Sequence, residues 1–571
     1  MDYVIKIGGE AGQGIQTIGD TLAKVFARSG YHVFTDQDYE SRVRGGHNFY
    51  RIRFSDKPVI CVRESVDILV ALDAESIKKY ENMLSSAGIV IYDSTQIKEV
   101  FNSERFIDIP FIKLAQESGG SRIMANTVAI GAVHGMLKLD LDTASQIFRE
   151  TFARKGDDVV KVNIDAAKAG FDFASSECKQ CSFRISEKSE PLMLISTTEA
   201  LAAGAMAAGC RFYAAYPMTP STGIMNYLAS KEASGSIMVE QAEDEIAAIN
   251  MALGASYAGL RAMTGTSGGG FALMVEGISL AGMTETPVVV CLGQRPGPAT
   301  GLPTRTEQAD LLFSLFAGHG EFPRIIFAPR DPEQAFYLMN KAFDLAEKYQ
   351  IPGIILFDQY LSDALWTYKG FDLSKIKFTD YRLRADELKT LNKYSRYSIT
   401  ETGVTPMAVP GASEHLVVVD SDEHSEEGHI IEDAETRIAM VNKRLHKKMP
   451  LIIEEISGPL VYGSKDPELV LTGWGSTYGP LKEAVDVLSK KMRVALVHFQ
   501  EIYPLPSDEH SAYLDTIRSA RISICVENNA TSQFAFLLRA EKGMDFTHHI
   551  NRFDGRPFIL ESILEEISAL V

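Results

Sequence analysis

Short hydrophobic runs alternate with longer amphipathic stretches along most of this chain. Residues 4–7 are a strand-like run, a glycine turn follows at 8–14, and residues 17–28 carry Ile18, Leu22, Val25 and Phe26 at helical spacing. Residues 50–54, 68–72 and 89–92 repeat the strand pattern. A second series begins at Leu192, with strand candidates at 211–215, 238–239, 262–264, 287–292 and 353–357 and a small-residue helix at 199–208. A third series has strands at 469–477, 494–499 and 522–526 and a helix at 481–491. Strands alternating with helices predict an α/β fold with mostly parallel sheets. The expected division is a domain over 1–175, a polar linker over 176–191, a second domain over 192–368, a less regular connecting segment over 369–468 and a last domain over 469–571.

The length of 571 residues supports this division, because one hydrophobic core rarely serves so long a chain. A net charge of −18 argues against nucleic acid or an anionic membrane as the main partner. No apolar run approaches the ~20 residues of a membrane span, and the chain opens on a strand without a signal-peptide pattern. A soluble, cytoplasmic protein is expected. Cys61, Cys210, Cys291 and Cys525 sit in strand-like or apolar surroundings and read as buried reduced thiols. Cys178 and Cys181 have ligand-like spacing, but a lone pair is half of a four-cysteine site. This chain is therefore expected to hold no iron–sulfur cluster, and the pair reads as incidental, with a redox or metal role as the alternative. Residues 420–435 form an acidic stretch with His424 and His429, expected as a solvated loop rather than a metal site.

Candidate chemistry lies at the ends of the strand-like runs. The turn at 8–14 places glycines as Gly-x-x-Gly-x-Gly, which differs from the dinucleotide fingerprint. A tight turn without ligand and a phosphate cradle at Gly12 and Gly14 both remain open. Arg42 and Arg44 beside Gly45 and Gly46 add guanidinium forks suited to a phosphate-bearing ligand or a subunit contact. In Tyr216-Pro217-Met218-Thr219-Pro220-Ser221, two prolines stiffen a turn that offers hydroxyls, although a helix N-cap at Thr219 or Ser221 is the favoured reading of these residues by themselves. Glu240, Glu243, Asp244 and Glu245 then precede a helical stretch that is apolar all round and so expected to be buried. Capping accounts for one or two of these acids. Glu245, directly before the apolar run, is expected to point inward, placed to hold or hand on a proton. The run at Ser267, Gly268 and Gly269 permits close approach of a flat ring or a phosphate. Arg295 ends another strand, where it either pairs with a substrate carboxylate or bridges a neighbouring acid.

In this order, the motifs resemble the 2-oxoacid:ferredoxin oxidoreductases, specifically an α subunit with the γ domain fused to its N-terminus. Residues 8–14 resemble the γ-domain glycine motif. Residues 216–221 match the family's Tyr-Pro-Ile-Thr-Pro-Ser signature with Met218 in place of isoleucine, and 241–245, the glycine run and 294–304 fit as well. The resemblance implies a Rossmann-like γ domain, a thiamine-diphosphate pyrimidine-binding domain and a transketolase C-terminal-like domain. It implies that Glu245 touches the cofactor's aminopyrimidine nitrogen, that Thr219 and Arg295 bind the 2-oxoacid, and that Arg305 supplies a cation for a second carboxylate. It implies oxidative decarboxylation dependent on coenzyme A, with 2-oxoglutarate as the expected substrate and broad-specificity, branched-chain or pyruvate enzymes as alternatives. Magnesium and [4Fe-4S] are expected on a β subunit, because this chain lacks the Gly-Asp-Gly…Asn pattern and clustered cysteines; no metal site is expected here. An (αβ)2 assembly and ferredoxin are the implied partners, with Gly12, Gly14, Arg42 and Arg44 as candidate coenzyme A contacts. A non-oxidative thiamine enzyme subunit and a non-enzymatic ligand-binding protein are the rival readings.

Overall fold

The computed structural model describes residues 1–41, 45–178, 181, 183–507 and 511–571. The chain forms two compact units, one of Met1–Ser196 with Asp363–Gly370 and Ile559–Glu565, the other of Thr197–Ser362, Phe371–Phe558 and Glu566–Val571.

The first unit is built on an eight-stranded sheet. Phe106–Asp108, Leu84–Tyr92, Val66–Ala71 and Asp2–Glu10 lie parallel in that order. His47–Ser55, His32–Asp38, Leu365–Tyr368 and Met193–Ser196 continue it antiparallel. Half of this sheet thus departs from the parallel expectation. The connection between His32–Asp38 and His47–Ser55 is too short for a helical crossover, so those two strands pair as a hairpin. The first strand runs through Gly8 and Gly9 to Glu10, which shortens the turn before the helix Ile15–Arg28. That helix buries Ile18, Leu22, Val25 and Phe26, and Phe26 stacks on Phe54 with centroids 4.2 Å apart. Cys178, at the end of the helix Asp157–Glu177, forms a disulfide with Cys181, so the pair read as incidental is bonded. The chain after it lies along the unit: Tyr31 donates to the Ser186 carbonyl at 2.7 Å and Ser189 Oγ to the Gly30 carbonyl at 2.8 Å.

The second unit holds two sheets. Seven strands run in the order Glu501–Tyr503, Ile325–Phe327, Pro352–Asp358, Val288–Gln294, Arg261–Ser267, Cys210–Ala215, Met238–Gln241, parallel except at the Glu501–Tyr503 edge. Five strands, Leu460–Gly463, Val494–Phe499, Leu469–Trp474, Ile522–Glu527 and His548–Asn551, form the other, parallel except at Leu460–Gly463. One hydrophobic core spans both. Two expectations fail here. The acidic stretch is not a solvated loop throughout: His424 is fully buried against Tyr397, and Glu423 bridges Arg444 at 2.7 Å, because these ion pairs remove its charge from water. The helix Glu245–Tyr257 is not buried all round: Ile246 is 50% and Met251 37% exposed.

Candidate active site

The seven-stranded sheet reverses its winding between Cys210–Ala215 and Arg261–Ser267. The former leads outward to Met238–Gln241, whereas the latter leads the other way to Val288–Gln294. Open parallel sheets bind ligands at the carboxyl ends of strands flanking such a reversal. Two of the sequence motifs meet there, with Met218 Sδ 3.9 Å from Thr266 Oγ1. Ser221 does not cap the following helix with its side chain: its N–H and Oγ donate to the Met218 carbonyl at 2.9 and 2.8 Å, closing the turn. Pro220 packs on Gly293, where a Cβ would lie 2.7 Å from Pro220 Cγ. Arg295 Nη1 donates to the Thr219 carbonyl at 2.9 Å, so these two candidates are neighbours.

Glu245 stands in the first turn of its helix, but Asp244 does the capping, its Oδ1 accepting from the Ala247 N–H at 2.7 Å. Glu245 is 4% exposed, and its Oε1 is buried without a hydrogen-bond partner among the described residues. An unpaired buried carboxyl oxygen is costly in an isolated fold, and a ligand group bonded to it would remove that cost. Ser267 Oγ and Thr264 Oγ1 are buried and unpartnered in the same way. Gly270 leaves room for the Glu245 carboxyl, and Gly268 lies against Asp310, whose carboxylate oxygens would be 2.9 Å from a Cβ there. Ser267, Gly268 and Gly269 open the helix Gly268–Met283, whose first N–H groups favour an anion. The residues present therefore fit a flat heteroaromatic ring that bonds to a carboxyl.

Sequence reasoning missed Glu307 and Asp310, which follow a proline-rich loop without any recognisable spacing. The Asp310 N–H donates to Gln294 Oε1 at 3.1 Å, and its Oδ2 has no partner among the described residues. Burial pushes the Asp310 carboxyl up to about 6 against the pull of Arg295. Burial and then the neighbouring Asp310 push Glu307 up to about 7. Burial lowers Arg295, opposed by Asp310, so the arginine already faces an acid before any substrate arrives. Arg305 lies farther along the same loop, its N–H bonded to the Leu302 carbonyl at 3.1 Å and its Cβ beside Gly555.

In the first unit, Gly12 and Gly14 adopt positive φ of 93° and 83° in the turn before the helix Ile15–Arg28. A side chain at Gly14 would collide with Asn126, whereas Gly12 faces open space. Both line a cleft of ≈810 Å³ together with Thr17, Asn126, Lys155 and Asn163. Arg42 and Arg44 lie outside the described residues. Among the described residues, no cluster of histidine, cysteine and carboxylate side chains is arranged to hold a metal, and no helix is long and apolar enough to cross a membrane.

Residues 203–443 match the family model "Pyruvate flavodoxin/ferredoxin oxidoreductase, thiamine diP-bdg", and residues 4–173 match "Pyruvate ferredoxin/flavodoxin oxidoreductase". The 2-oxoacid:ferredoxin oxidoreductase subunit alpha of Sulfolobus is 32% identical over 99% of this chain and 96% of its own length. The 2-oxoglutarate oxidoreductase subunit KorA of Mycobacterium tuberculosis is 30% identical, covering 89% of this chain and 83% of that protein. The structure of 2-oxoglutarate:ferredoxin oxidoreductase from Magnetococcus marinus, with 2-oxoglutarate, coenzyme A and succinyl-CoA bound, superposes with a TM-score of 0.91 and 30% identity over 100% of this chain and 99% of that one. The chain belongs to the alpha subunits of the 2-oxoacid:ferredoxin oxidoreductases.

Proposed function

We propose that this chain is the alpha subunit of an enzyme that oxidatively decarboxylates 2-oxoglutarate to succinyl-CoA and passes the electrons to ferredoxin in the cytoplasm. The observation that carries the reading is the buried, unpartnered Oε1 of Glu245 at the sheet's winding reversal. Thiamine diphosphate, when bound, supplies the carbon nucleophile and the electron sink for decarboxylation. Glu245 would hold the pyrimidine nitrogen through Oε1 and pass a proton there. Ser267, Gly268 and Gly269 would let the ring approach the backbone. Thr219 would bond the 2-oxo acid end, Arg295 its carboxylate and Arg305 the second carboxylate of 2-oxoglutarate. Gly12 and Gly14, with Arg42 and Arg44, would meet the phosphates of coenzyme A. The substrate choice draws on the Mycobacterium and Magnetococcus relatives, whose names specify 2-oxoglutarate.

On this reading residues 1–175 are the γ-type domain, 192–368 bind the pyrimidine and 469–571 are the transketolase C-terminal-like part. A β subunit would bring magnesium, the diphosphate anchor and [4Fe-4S], in an (αβ)2 assembly. Exposed Ile246 and Leu273, 50% and 49% accessible on the helices that carry Glu245 and Gly270, support a partner that closes over the site. The test is co-purification with the β subunit, then an assay of coenzyme A-dependent reduction of ferredoxin or a viologen dye across a panel of 2-oxoacids. Preference for 2-oxoglutarate is expected; activity without thiamine diphosphate would overturn the mechanism, and preference for another acid would overturn the substrate.

A further inference from the structure

The disulfide Cys178–Cys181 lies in the first unit, which does not contain Glu245. It joins residues only three apart in sequence, and a link over so short a separation removes little chain entropy from the unfolded state. The unit already has an extensive hydrophobic core, into which both cysteines pack. A staple is therefore a poor account of the bond. Cys61, Cys210, Cys291 and Cys525 are buried and not disulfide-bonded, so this pair stands apart from them in chemistry.

The two sulfurs are not equivalent. Cys178 is 7% exposed at the C-terminal end of the helix Asp157–Glu177. Cys181 is only partly buried, and both border a cleft of ≈550 Å³ lined in part by Gly88, Arg105, Asp108 and Glu177. Arg105 fixes one wall, donating to the Gly88 and Ser85 carbonyls at 2.9 and 2.8 Å. Cys181 is the more accessible of the two residues, which favours it as the point of attack, and its Sγ lies 3.6 Å from Met136 Sδ. A helix C-terminus disfavours a thiolate at Cys178, which makes that sulfur a slow leaving group. Simple monothiols are then poor reductants of the bond, and a dithiol that resolves its own mixed disulfide is the suited one.

We propose that Cys178 and Cys181 form a reversible two-electron site that exchanges with a dithiol carrier protein of the thioredoxin class. The carrier's thiolate bonds to Cys181 Sγ, the Cys178–Cys181 bond breaks, and Cys178 leaves and takes up a proton. The carrier's second thiolate attacks its own sulfur of the mixed disulfide, releasing Cys181, which takes up the second proton. The chain gains two electrons and the carrier becomes a disulfide; the oxidised carrier closes the pair by the reverse steps.

The full chain is equilibrated in thiol–disulfide buffers of graded potential, alkylated under native conditions, and the peptide bearing both cysteines is weighed by mass spectrometry. One transition is expected, with a tenfold change in the dithiol:disulfide ratio per about 30 mV. A reduced dithiol carrier should open the bond at least about tenfold faster than glutathione at equal thiol concentration. A carrier variant lacking its resolving cysteine should be captured at Cys181, and not by a chain bearing Cys178→Ser and Cys181→Ser. The proposal is overturned if the bond opens only on unfolding, if both residues stay thiols at every potential, or if capture occurs elsewhere. Should the double variant fail to fold, the titration and the capture site in the native chain still decide.

Discussion

Gly270 and Glu245 are in contact across two helices: a methyl group on Gly270 would lie 2.6 Å from Glu245 Cδ and would also meet Thr266 Oγ1. The glycine therefore sets where the carboxyl sits. Gly270→Ala gains about 1 kcal/mol of helix propensity and loses about 1–3 kcal/mol to the clash, so the fold should survive while the carboxyl moves. The expected result is a thermal midpoint within a few degrees of the parent and a fall in turnover of at least about tenfold. Undiminished turnover would show that the position of Glu245 is not critical.

Glu245→Gln keeps the shape and removes the acid. If the carboxyl moves a proton on the cofactor, turnover should drop by about 10²- to 10⁴-fold. Stability should hold or rise, because an unpaired buried carboxyl is replaced by a neutral amide. Hydrogen–deuterium exchange at the thiazolium carbon, followed by NMR in the assembled enzyme, reads the step directly. An exchange rate equal to the parent's would remove Glu245 from it.

Arg295→Ala separates binding from chemistry. A charge-assisted bond to a substrate carboxylate contributes about 1.5–3 kcal/mol, so KM for the 2-oxoacid should rise roughly 10- to 100-fold with a smaller change in kcat. An unchanged KM would mean that the Arg295 charge serves Asp310 and the Thr219 carbonyl alone.

Glu307 and Asp310 give the folded chain a pH signature. Their carboxyls are raised to about 7 and about 6, above the ~4 of an unfolded carboxyl. Between those values the folded state binds more protons than the unfolded state, so stability falls as pH rises through the window. Above about 7 both groups are ionised in either state and this contribution is flat. Asp310→Asn together with Glu307→Gln should flatten the decline in denaturation midpoint between about pH 4 and 7. A decline that persists undiminished would assign it to other groups.

Much of this architecture was legible because strand ends carry their own signals. The apolar runs that became Arg261–Ser267, Val288–Gln294 and Pro352–Asp358 are fully buried strands, and the glycines and prolines after the first two mark where the backbone turns at the strand ends. Residue patterns mark Thr219 and Arg295 separately and the resemblance sets both on the 2-oxoacid, but only tertiary structure places the guanidinium on the Thr219 carbonyl. Asp310 was illegible because its environment is made by residues earlier in the chain, Gly268 and Gln294 among them, and the state of Glu307 depends on its own burial and on Asp310. The exposure of Ile246 was misread because apolar periodicity records that a face avoids water without saying whether its own chain or another covers it.

The same limit hid a buried charge cluster away from the sheet edge. Glu285 is 1% exposed and receives Lys443 at 2.7 Å and Lys448 on its other oxygen, while Arg396 donates to its backbone carbonyl at 2.6 Å. Burial pushes the Glu285 carboxyl up, but Lys448, Lys443 and Arg396 together hold it well below the ordinary range. Both lysines are fully buried, and burial lowers Lys448 to about 7. Removing the one anion strands two ammonium groups in the interior, so Glu285→Gln should cost about 3–5 kcal/mol in chemical denaturation. Replacing the whole set, Glu285→Met with Lys443→Met and Lys448→Met, removes the desolvation of all three charges and should recover most of that loss. A single variant as stable as the parent would show that the lysines find other partners or lose their protons at little cost.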